Sequence, residues 1–193
     1  AGACQDQAVR QALAYGFDRE AYIASYYKLD DKDAKLAYVP GLFGNPVSGG
    51  NGAYVRGEEK VDGATYYDYD VEKAKQILDD AGWTVGRDGI REKDGQKLSI
   101  KFLATKEKDA MDTMIPMLQK QWGELGVDFK ANTMEFNTVI ATVSDDSAVG
   151  DWDVSYLGNS FTSPEDTSVD YFIQSQGVNN LARLKDDELD SYL

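Results

Sequence analysis

Apolar residues recur every three to four positions in the first 28 residues, a spacing that predicts helices. Gly16 interrupts the pattern and is expected to end or bend the first helix. Asp18 precedes the second apolar run, and its carboxylate can accept hydrogen bonds from the free amides of a helix start. The segment therefore predicts two consecutive helices.

Two longer helices follow from the same spacing. One begins after Asp70 and ends near Gly82. The other lies within residues 107–127 and ends at Gly126; it contains Pro116, which must either kink the helix or lie near a late start. Its inward face is predicted to comprise Met111, Met114, Ile115, Leu118, Trp122 and Leu125.

Alternating apolar and polar residues predict strands between these helices. Two Asp-Gly pairs, at 88–89 and 94–95, predict tight turns of a hairpin that leads into a strand over Leu98–Ala104. Further strand patterns cover residues 127–135 and 151–158, with a helical pattern between them. The order β-α-β-α-β predicts an α/β fold in which a mixed sheet is flanked by helices in a three-layer-like arrangement.

Residues 37–69 follow neither period and hold seven of the 18 glycines. So long a segment is either functional or a surface excursion, and both readings stay open. Ser163 and Pro164 suggest the start of another helix. The chain is predicted to be a single lobe over residues 1–193, and its last helical pattern stops at Leu193, which suggests a piece of a larger protein.

Composition removes several kinds of chemistry. The formal net charge of −14 disfavours a nucleic acid partner, because phosphate binding needs clustered Lys and Arg. The chain has no histidine and one cysteine, which excludes His-dependent triads, a structural zinc site and an internal disulfide. The AGAC start only faintly resembles a lipoprotein cleavage box, so a free or half-buried Cys4 thiol is the preferred reading. No apolar run reaches the roughly 18 residues of a membrane span.

Acidic pairs such as Asp79–Asp80 and Asp145–Asp146 are the remaining catalytic candidates. Adjacent residues on a helix or strand point in different directions, so such pairs suit solvated faces and caps better than a paired-carboxylate mechanism. The chain also lacks a P-loop and a dinucleotide fingerprint. The residues alone predict an acidic α/β domain that is not an enzyme and holds no cofactor or metal, with a carboxylate-based hydrolase as a less favoured alternative.

The segment 151–164, DWDVSYLGNSFTSP, begins as a strand and ends in small and polar groups around one aromatic residue, Phe161. By itself it is compatible with an ordinary strand-to-helix connection or with a turn that binds a ligand. Its small and polar residues are Gly158, Asn159, Ser160, Thr162 and Ser163.

Six segments, taken in order, carry a resemblance to a known family. They are VRQALAYGFDRE (9–20), YDVEKAKQILDDAGW (69–83), DGIREKDGQKLSIKFLAT (88–105), LQKQWGELGVDFK (118–130), GDWDVSYLG (150–158) and VNNLARLKDDELDSYL (178–193). Together they resemble bacterial solute-binding proteins of family 5, the oligopeptide, dipeptide and nickel class, which are extracytoplasmic receptors of ABC importers.

The resemblance implies the second lobe of a type II-like periplasmic binding protein whose two lobes close on a ligand. It implies an oligopeptide ligand, membrane permease subunits as partners, a monomer, and an extracytoplasmic location with a lipid anchor on the full-length protein. The strand over 151–158 would lead into the cleft between the lobes. The implied ligand-binding residues are Tyr156, Gly158, Asn159, Ser160, Phe161, Thr162, Asn179 and Asn180.

The match departs from the family pattern at the ligand turn. Peptide-binding members often carry a Trp after the glycine that matches Gly158, and an Asp a few residues on that pairs with the ligand's α-amino group. Here Asn159 follows the glycine, and Ser160 or Thr162 falls at the Asp position, with Asp166 as a substitute from the next helix turn. The alternatives are therefore a surface receptor for a non-peptide solute, such as a sugar, or for a peptide signal. Nickel is disfavoured because the chain has no histidine.

Overall fold

A computed structural model describes residues 2–37, 53, 57–158 and 170–193. The chain forms two compact units. Unit 1 comprises Ala1–Pro40 and Val61–Leu157, and unit 2 comprises Gly41–Lys60 and Gly158–Leu193. The assignment of residues 1–193 to one lobe stays a prediction.

The helices of unit 1 begin where the sequence places capping residues. Asp18 accepts a hydrogen bond from the Ala21 amide at 2.9 Å, and Asp70 accepts one from the Lys73 amide at 2.9 Å, so both predicted caps are confirmed. The helices described in unit 1 are α1 (Gln7–Tyr15), α2 (Arg19–Tyr27), α3 (Asp31–Ala37), α4 (Val71–Asp80), α5 (Asp109–Glu124) and α6 (Phe136–Ser144). Helix α3 was not predicted.

Helix α5 buries the face that its spacing predicts. Its side chains Met111, Met114, Leu118 and Trp122 are buried, as is Leu125 just after the helix, while Ile115 is half-buried. Pro116 lies well inside the helix, so the alternative of a late start is wrong. Gly126 ends the segment with a φ of 84°, a conformation that favours glycine.

Both predicted Asp-Gly turns connect strands of a small antiparallel sheet. Strand β1 (Thr84–Val85) pairs with β2 (Arg91–Lys93), which pairs with β3 (Gln96–Lys97). Asp94 and Gly95 join β2 to β3 with φ angles of 50° and 77°, the combination that a two-residue hairpin turn needs. The hairpin leads into the central strand β4 (Ser99–Thr105), as predicted.

A second, parallel sheet has the strand order β5-β4-β6, where β5 is Asp128–Met134 and β6 is Val154–Ser155. Crossovers between parallel strands are almost always right-handed, which puts α5 and α6 on opposite faces of this sheet. The buried residues agree with this placement. On one face of the sheet, Ile100 and Phe102 join the main core with α5. Leu103 points to the opposite face, where α6 buries Val139 and Val143. The predicted α/β fold class is confirmed, with its parallel and antiparallel pairings in two separate sheets.

Strand β6 is shorter than the predicted span of 151–158, and its two residues are half-buried rather than buried. The chain approaches β6 through a turn at Gly150, whose φ is 102°. The Lys101 amide of β4 then donates to the side-chain carboxylate of Asp153 at 2.8 Å. In a regular parallel pairing this amide would donate to a backbone carbonyl of the neighbouring strand. The ladder is therefore limited to Val154 and Ser155.

The long segment predicted over 37–69 rejoins unit 1 at Val61, and Tyr67 anchors its last part there. The rings of Tyr15 and Tyr67 lie 4.9 Å apart, and the Tyr67 carbonyl accepts a hydrogen bond from the Arg19 guanidinium. Residues 57–69 contain no helix or strand, and residues 38–52 and 54–56 lie outside the described part of the chain.

Candidate functional site

The carboxyl ends of the three parallel strands meet at one edge of the sheet, which is where ligands bind in open α/β sheets. At this edge the Lys106 amide donates to the Met134 carbonyl at 2.9 Å, and the Lys106 ammonium pairs with Glu135 at 2.8 Å. Tyr156 follows β6, and its amide donates to the Leu103 carbonyl at 3.2 Å. The backbone is thus held in place while the Tyr156 side chain stays 43% exposed.

Tyr156 is the predicted ligand residue that the structure places at this edge. Gly158 follows it, is exposed, and has open space where a side chain would begin. Asn179 and Asn180 belong, like Gly158, to unit 2. The predicted site residues Asn159, Ser160, Phe161 and Thr162, together with Ser163, Pro164 and Asp166, lie outside the described residues.

Asn180 uses most of its hydrogen-bonding capacity inside unit 2. Its amide nitrogen donates to the carbonyls of Gln174 at 3.1 Å and Leu184 at 2.7 Å, and its Oδ1 accepts the Leu184 amide at 2.9 Å. These bonds join the segment after α7 (Asp170–Ile173) to the segment before α8 (Asp187–Asp190). Three side-chain hydrogen bonds within one loop support a loop-ordering role for Asn180, whereas the neighbouring Asn179 is exposed.

Three tyrosines of α2 that we call the tyrosine cluster, Tyr22, Tyr26 and Tyr27, were not predicted as a group. Tyr22 and Tyr26 are four residues apart on α2 and stack with ring centroids 5.8 Å apart and an interplanar angle of 9°. Tyr26 and Tyr27 meet edge-on at 4.8 Å and 79°. The sequence signal is the run YIASYY in a helix with few fully apolar positions.

Electrostatics connects Tyr156 to the tyrosines of α2. Burial raises the pKa of Tyr22, and the neighbouring phenols of Tyr156, Tyr26 and Tyr27 raise it further.

Unit 1 also contains a cavity of about 520 Å³ between α2, α3 and the segment before α4. Its walls carry one guanidinium, from Arg19, and an excess of carboxylates. That excess makes the cavity unfavourable for anions. The carboxylates are Asp18, Glu20, Asp31 and Asp68.

The described residues offer little for catalysis or metal binding. Cys4 is a half-buried free thiol, as expected, and burial, followed by the Asp153 carboxylate, raises its pKa to about 12. A thiol that stays protonated at neutral pH is a poor nucleophile. Across the described ranges, no three metal-ligating side chains come together, and no helix is both long and apolar enough to cross a membrane.

Residues 1–180 match the family model for the middle part of bacterial extracellular solute-binding proteins, family 5. The chain belongs to this family. The resemblance seen in the six sequence segments is thereby confirmed, and the proteins it matches are solute-binding proteins rather than enzymes.

Individual relatives agree with the family assignment. The oligopeptide-binding protein AppA of Bacillus subtilis is 28% identical over 173 residues, which cover 89% of this chain and 29% of AppA. Its structure in complex with a nonapeptide superposes with a TM-score of 0.72 at 23% identity, over 97% of this chain and 34% of AppA. NikA from Brucella suis, in complex with Fe(III)-EDTA, gives a TM-score of 0.71 at 24% identity, over 99% of this chain and 36% of NikA.

These superpositions show the periplasmic binding protein fold. The chain spans about a third of the length of these relatives. The ligand and the partners of the whole protein are therefore separate questions from its family.

Proposed function

We propose that this chain is the second lobe of the solute-binding component of an ABC importer and that it binds an oligopeptide in a cleft between two lobes. The observation that carries the proposal is the family match over residues 1–180, with an exposed Tyr156 at the carboxyl edge of the parallel sheet. The relatives named as oligopeptide-binding proteins, AppA and the OppA proteins of Lactococcus lactis, favour a peptide.

An extended peptide would be held mainly through its backbone at this edge. Backbone N–H and C=O groups recognise a peptide without reading its side chains, and a strand end followed by a small residue leaves them accessible. Gly158 is exposed and crowded by nothing within 4 Å of its missing Cβ. In this proposal Tyr156, Gly158, Asn159, Ser160, Phe161 and Thr162 contact the ligand, and Asn179 or Asn180 contributes a further contact.

The remaining attributes follow from the same proposal. The protein acts without turnover, outside the cytoplasm, as a monomer anchored by a lipid on its full-length form. It delivers the bound peptide to permease subunits in the membrane. The description of the matching family as extracellular supports the location, and the chemistry of Cys4 supports the absence of a cysteine nucleophile.

The test uses the full-length protein that contains this chain. It is purified without denaturation, the bound material is released with acid, and the released material is identified by mass spectrometry. We expect a ladder of mixed peptides at near-stoichiometric amounts and no cleavage of those peptides when they are returned to the protein. Tyr156→Ala should retain less peptide than Tyr192→Ala, a matched change at an exposed tyrosine in unit 2.

A second candidate is a receptor for a non-peptide solute. NikA, with a TM-score of 0.71, is described in complex with Fe(III)-EDTA, so this fold also accommodates ligands that are not peptides. The polar residues Asn159, Ser160 and Thr162 at the ligand turn agree with such a change of ligand. Release of one non-peptide species in the same experiment would establish this candidate and reject the peptide. Peptide cleavage with turnover would reject both in favour of a hydrolase.

A further inference from the structure

Helix α6 carries apolar side chains on its outward side as well as on the side that faces the parallel sheet. Val139 and Val143 are buried, whereas Phe136 is 52% exposed and Ile140 is 37% exposed. Phe136 and Ile140 are four residues apart, so they are neighbours on the helix surface. A helix that packs by one side usually presents polar residues to water on the other. We call Phe136 and Ile140 the outward apolar pair.

The chain around this pair is acidic. Residues 135–153 contain five acidic residues and neither lysine nor arginine. The Lys106 ammonium pairs with Glu135 at 2.8 Å, and the Lys101 ammonium donates to the Gly150 carbonyl, so lysines of the neighbouring chain offset part of this charge. The remaining excess of carboxylates follows the carboxyl end of α6, where Asp151 is exposed.

This charge restricts what can cover the outward apolar pair. A second copy related by a two-fold axis would bring the same acidic segment against itself, and like charges across an interface are unfavourable. Anionic lipid headgroups would repel the segment for the same reason. The complementary partner is a protein surface with an apolar centre and lysine or arginine side chains around it.

The outward apolar pair also lies beside the proposed ligand edge. Strand β5 ends at Met134 and α6 begins at Phe136, with only Glu135 between them. The Met134 carbonyl accepts the Lys106 amide at 2.9 Å, which fixes the start of α6 at the carboxyl end of the sheet. A receptor that passes its ligand to a permease has to present the mouth of its cleft to it. The surface next to this edge is therefore in a position to contact the permease.

We propose that the outward apolar pair and the acidic segment that follows α6 form a docking surface for an apolar and basic patch on the permease subunits. The inference rests on the proposed function, since it locates the contact that delivery to a permease requires. Phe136 provides the central contact, because aromatic side chains are enriched at protein interfaces. The carboxylates speed the approach of a basic partner.

The test measures binding of the full-length protein, as purified, to its permease subunits in nanodiscs of the neutral lipid phosphatidylcholine, by biolayer interferometry. Phe136→Ala should raise the dissociation constant about tenfold or more, the size expected when a central interface residue is truncated. Val85→Ala changes a 60% exposed apolar residue of the antiparallel sheet and should leave binding unchanged. Asp151→Asn should slow association and reduce its dependence on salt. Peptide affinity and the thermal midpoint should be the same for all four proteins.

The first outcomes concern the surface itself. If the wild type does not bind the permease nanodiscs, or if Phe136→Ala binds them as tightly as the wild type, the docking surface is rejected. Equal weakening by Phe136→Ala and Val85→Ala also rejects it, because the effect is then unspecific. If Phe136→Ala lowers the thermal midpoint or the peptide affinity, its side chain is covered within the full-length protein and the docking surface is wrong.

Two further outcomes separate the partner and the ligand. If empty phosphatidylcholine nanodiscs bind the wild type as tightly as those with permease, lipid is the partner and the proposal is overturned. If the wild type carries no peptide but binds the permease nanodiscs through Phe136, the peptide assignment fails while the docking surface stands. If it carries peptide and Phe136→Ala has no effect, the peptide receptor stands without this docking surface.

Discussion

Replacing Arg91 with methionine tests which interactions hold unit 1 together. Arg91 is only 3% exposed although it lies in a short strand next to charged residues. Its guanidinium donates to the Leu125 carbonyl at 2.7 Å, to the Trp83 carbonyl, and to the Asp79 carboxylate. It thereby joins the ends of α4 and α5 to the antiparallel sheet.

The expected cost comes from the carbonyls rather than from the ion pair. Methionine keeps much of the apolar stem that packs beside Gly126 but removes the donors. Each buried acceptor left unpaired costs about 1–3 kcal/mol, so the loss of the donor to both carbonyls should lower the free energy of unfolding by about 2–6 kcal/mol. The Asp79 side chain is 56% exposed, so water can replace its partner at little cost.

Urea unfolding followed by tryptophan fluorescence measures this difference, and Trp83 lies directly at the site. With a urea slope of about 1–3 kcal/mol per molar, Arg91→Met should move the unfolding midpoint down by about 1 M or more. Asp79→Asn is the control that removes the charge of the pair while the carbonyl bonds stay, and it should cost less than Arg91→Met because the asparagine Oδ1 can still accept from the Arg91 guanidinium. Equal losses for the two variants would refute the reasoning, because the ion pair would then carry the stability.

Three further predictions concern single residues. Asp6→Asn should lower stability at neutral pH by about 1–2 kcal/mol and reduce the loss of stability in acid, measured by urea unfolding from pH 2 to 7. Alanine in the left-handed conformation costs about 1–2 kcal/mol. Gly126→Ala should destabilise by more than this, since its Cβ would lie 2.9 Å from Arg91 Cγ. Gly82→Ala has open space around its Cβ and should cost only the conformational energy. Asn180→Ala should lower the thermal midpoint and speed proteolysis of the loop between α7 and α8.

The sign for Asp6 follows from its surroundings. Partial burial by itself would raise its pKa, but hydrogen bonds from Lys93, Trp83 and the Ala8 amide outweigh burial and hold the pKa below its usual value. Its contribution is therefore complete above the unfolded pKa of about 4 and is lost as pH falls through the lowered folded value. If stability falls as much in acid for Asp6→Asn as for the wild type, this assignment is contradicted.

Matched variants also control the other two predictions. Gly82 has a φ of 84°, the same value as Gly126, so the difference between the two alanine variants isolates the crowding by Arg91 and by the Gly89 carbonyl. Equal costs would show that this contact is unimportant. Asn179→Ala removes an exposed amide with no side-chain hydrogen bond among the described residues, and should leave the thermal midpoint unchanged. A lower midpoint for that variant would contradict the separate roles given to the two asparagines.

The sequence by itself determined the elements whose signals are local. Asp18 and Asp70 cap helices because a carboxylate reaches amides only two or three residues away. Asp94 and Gly95 form a hairpin turn because these residue types tolerate the positive φ that the turn requires. The β-α-β-α-β order then limits the parallel sheet to few topologies, since crossovers are right-handed.

Tertiary structure alone decided the features that depend on distant partners. Arg91 reads as a surface residue because it precedes Glu92 and Lys93, yet it is buried because carbonyls at Trp83 and Leu125 converge on it. Strand β6 is short because the Asp153 side chain takes a position in the ladder. Local chemistry fixes where elements begin and end, whereas contacts between elements fix which side chains meet.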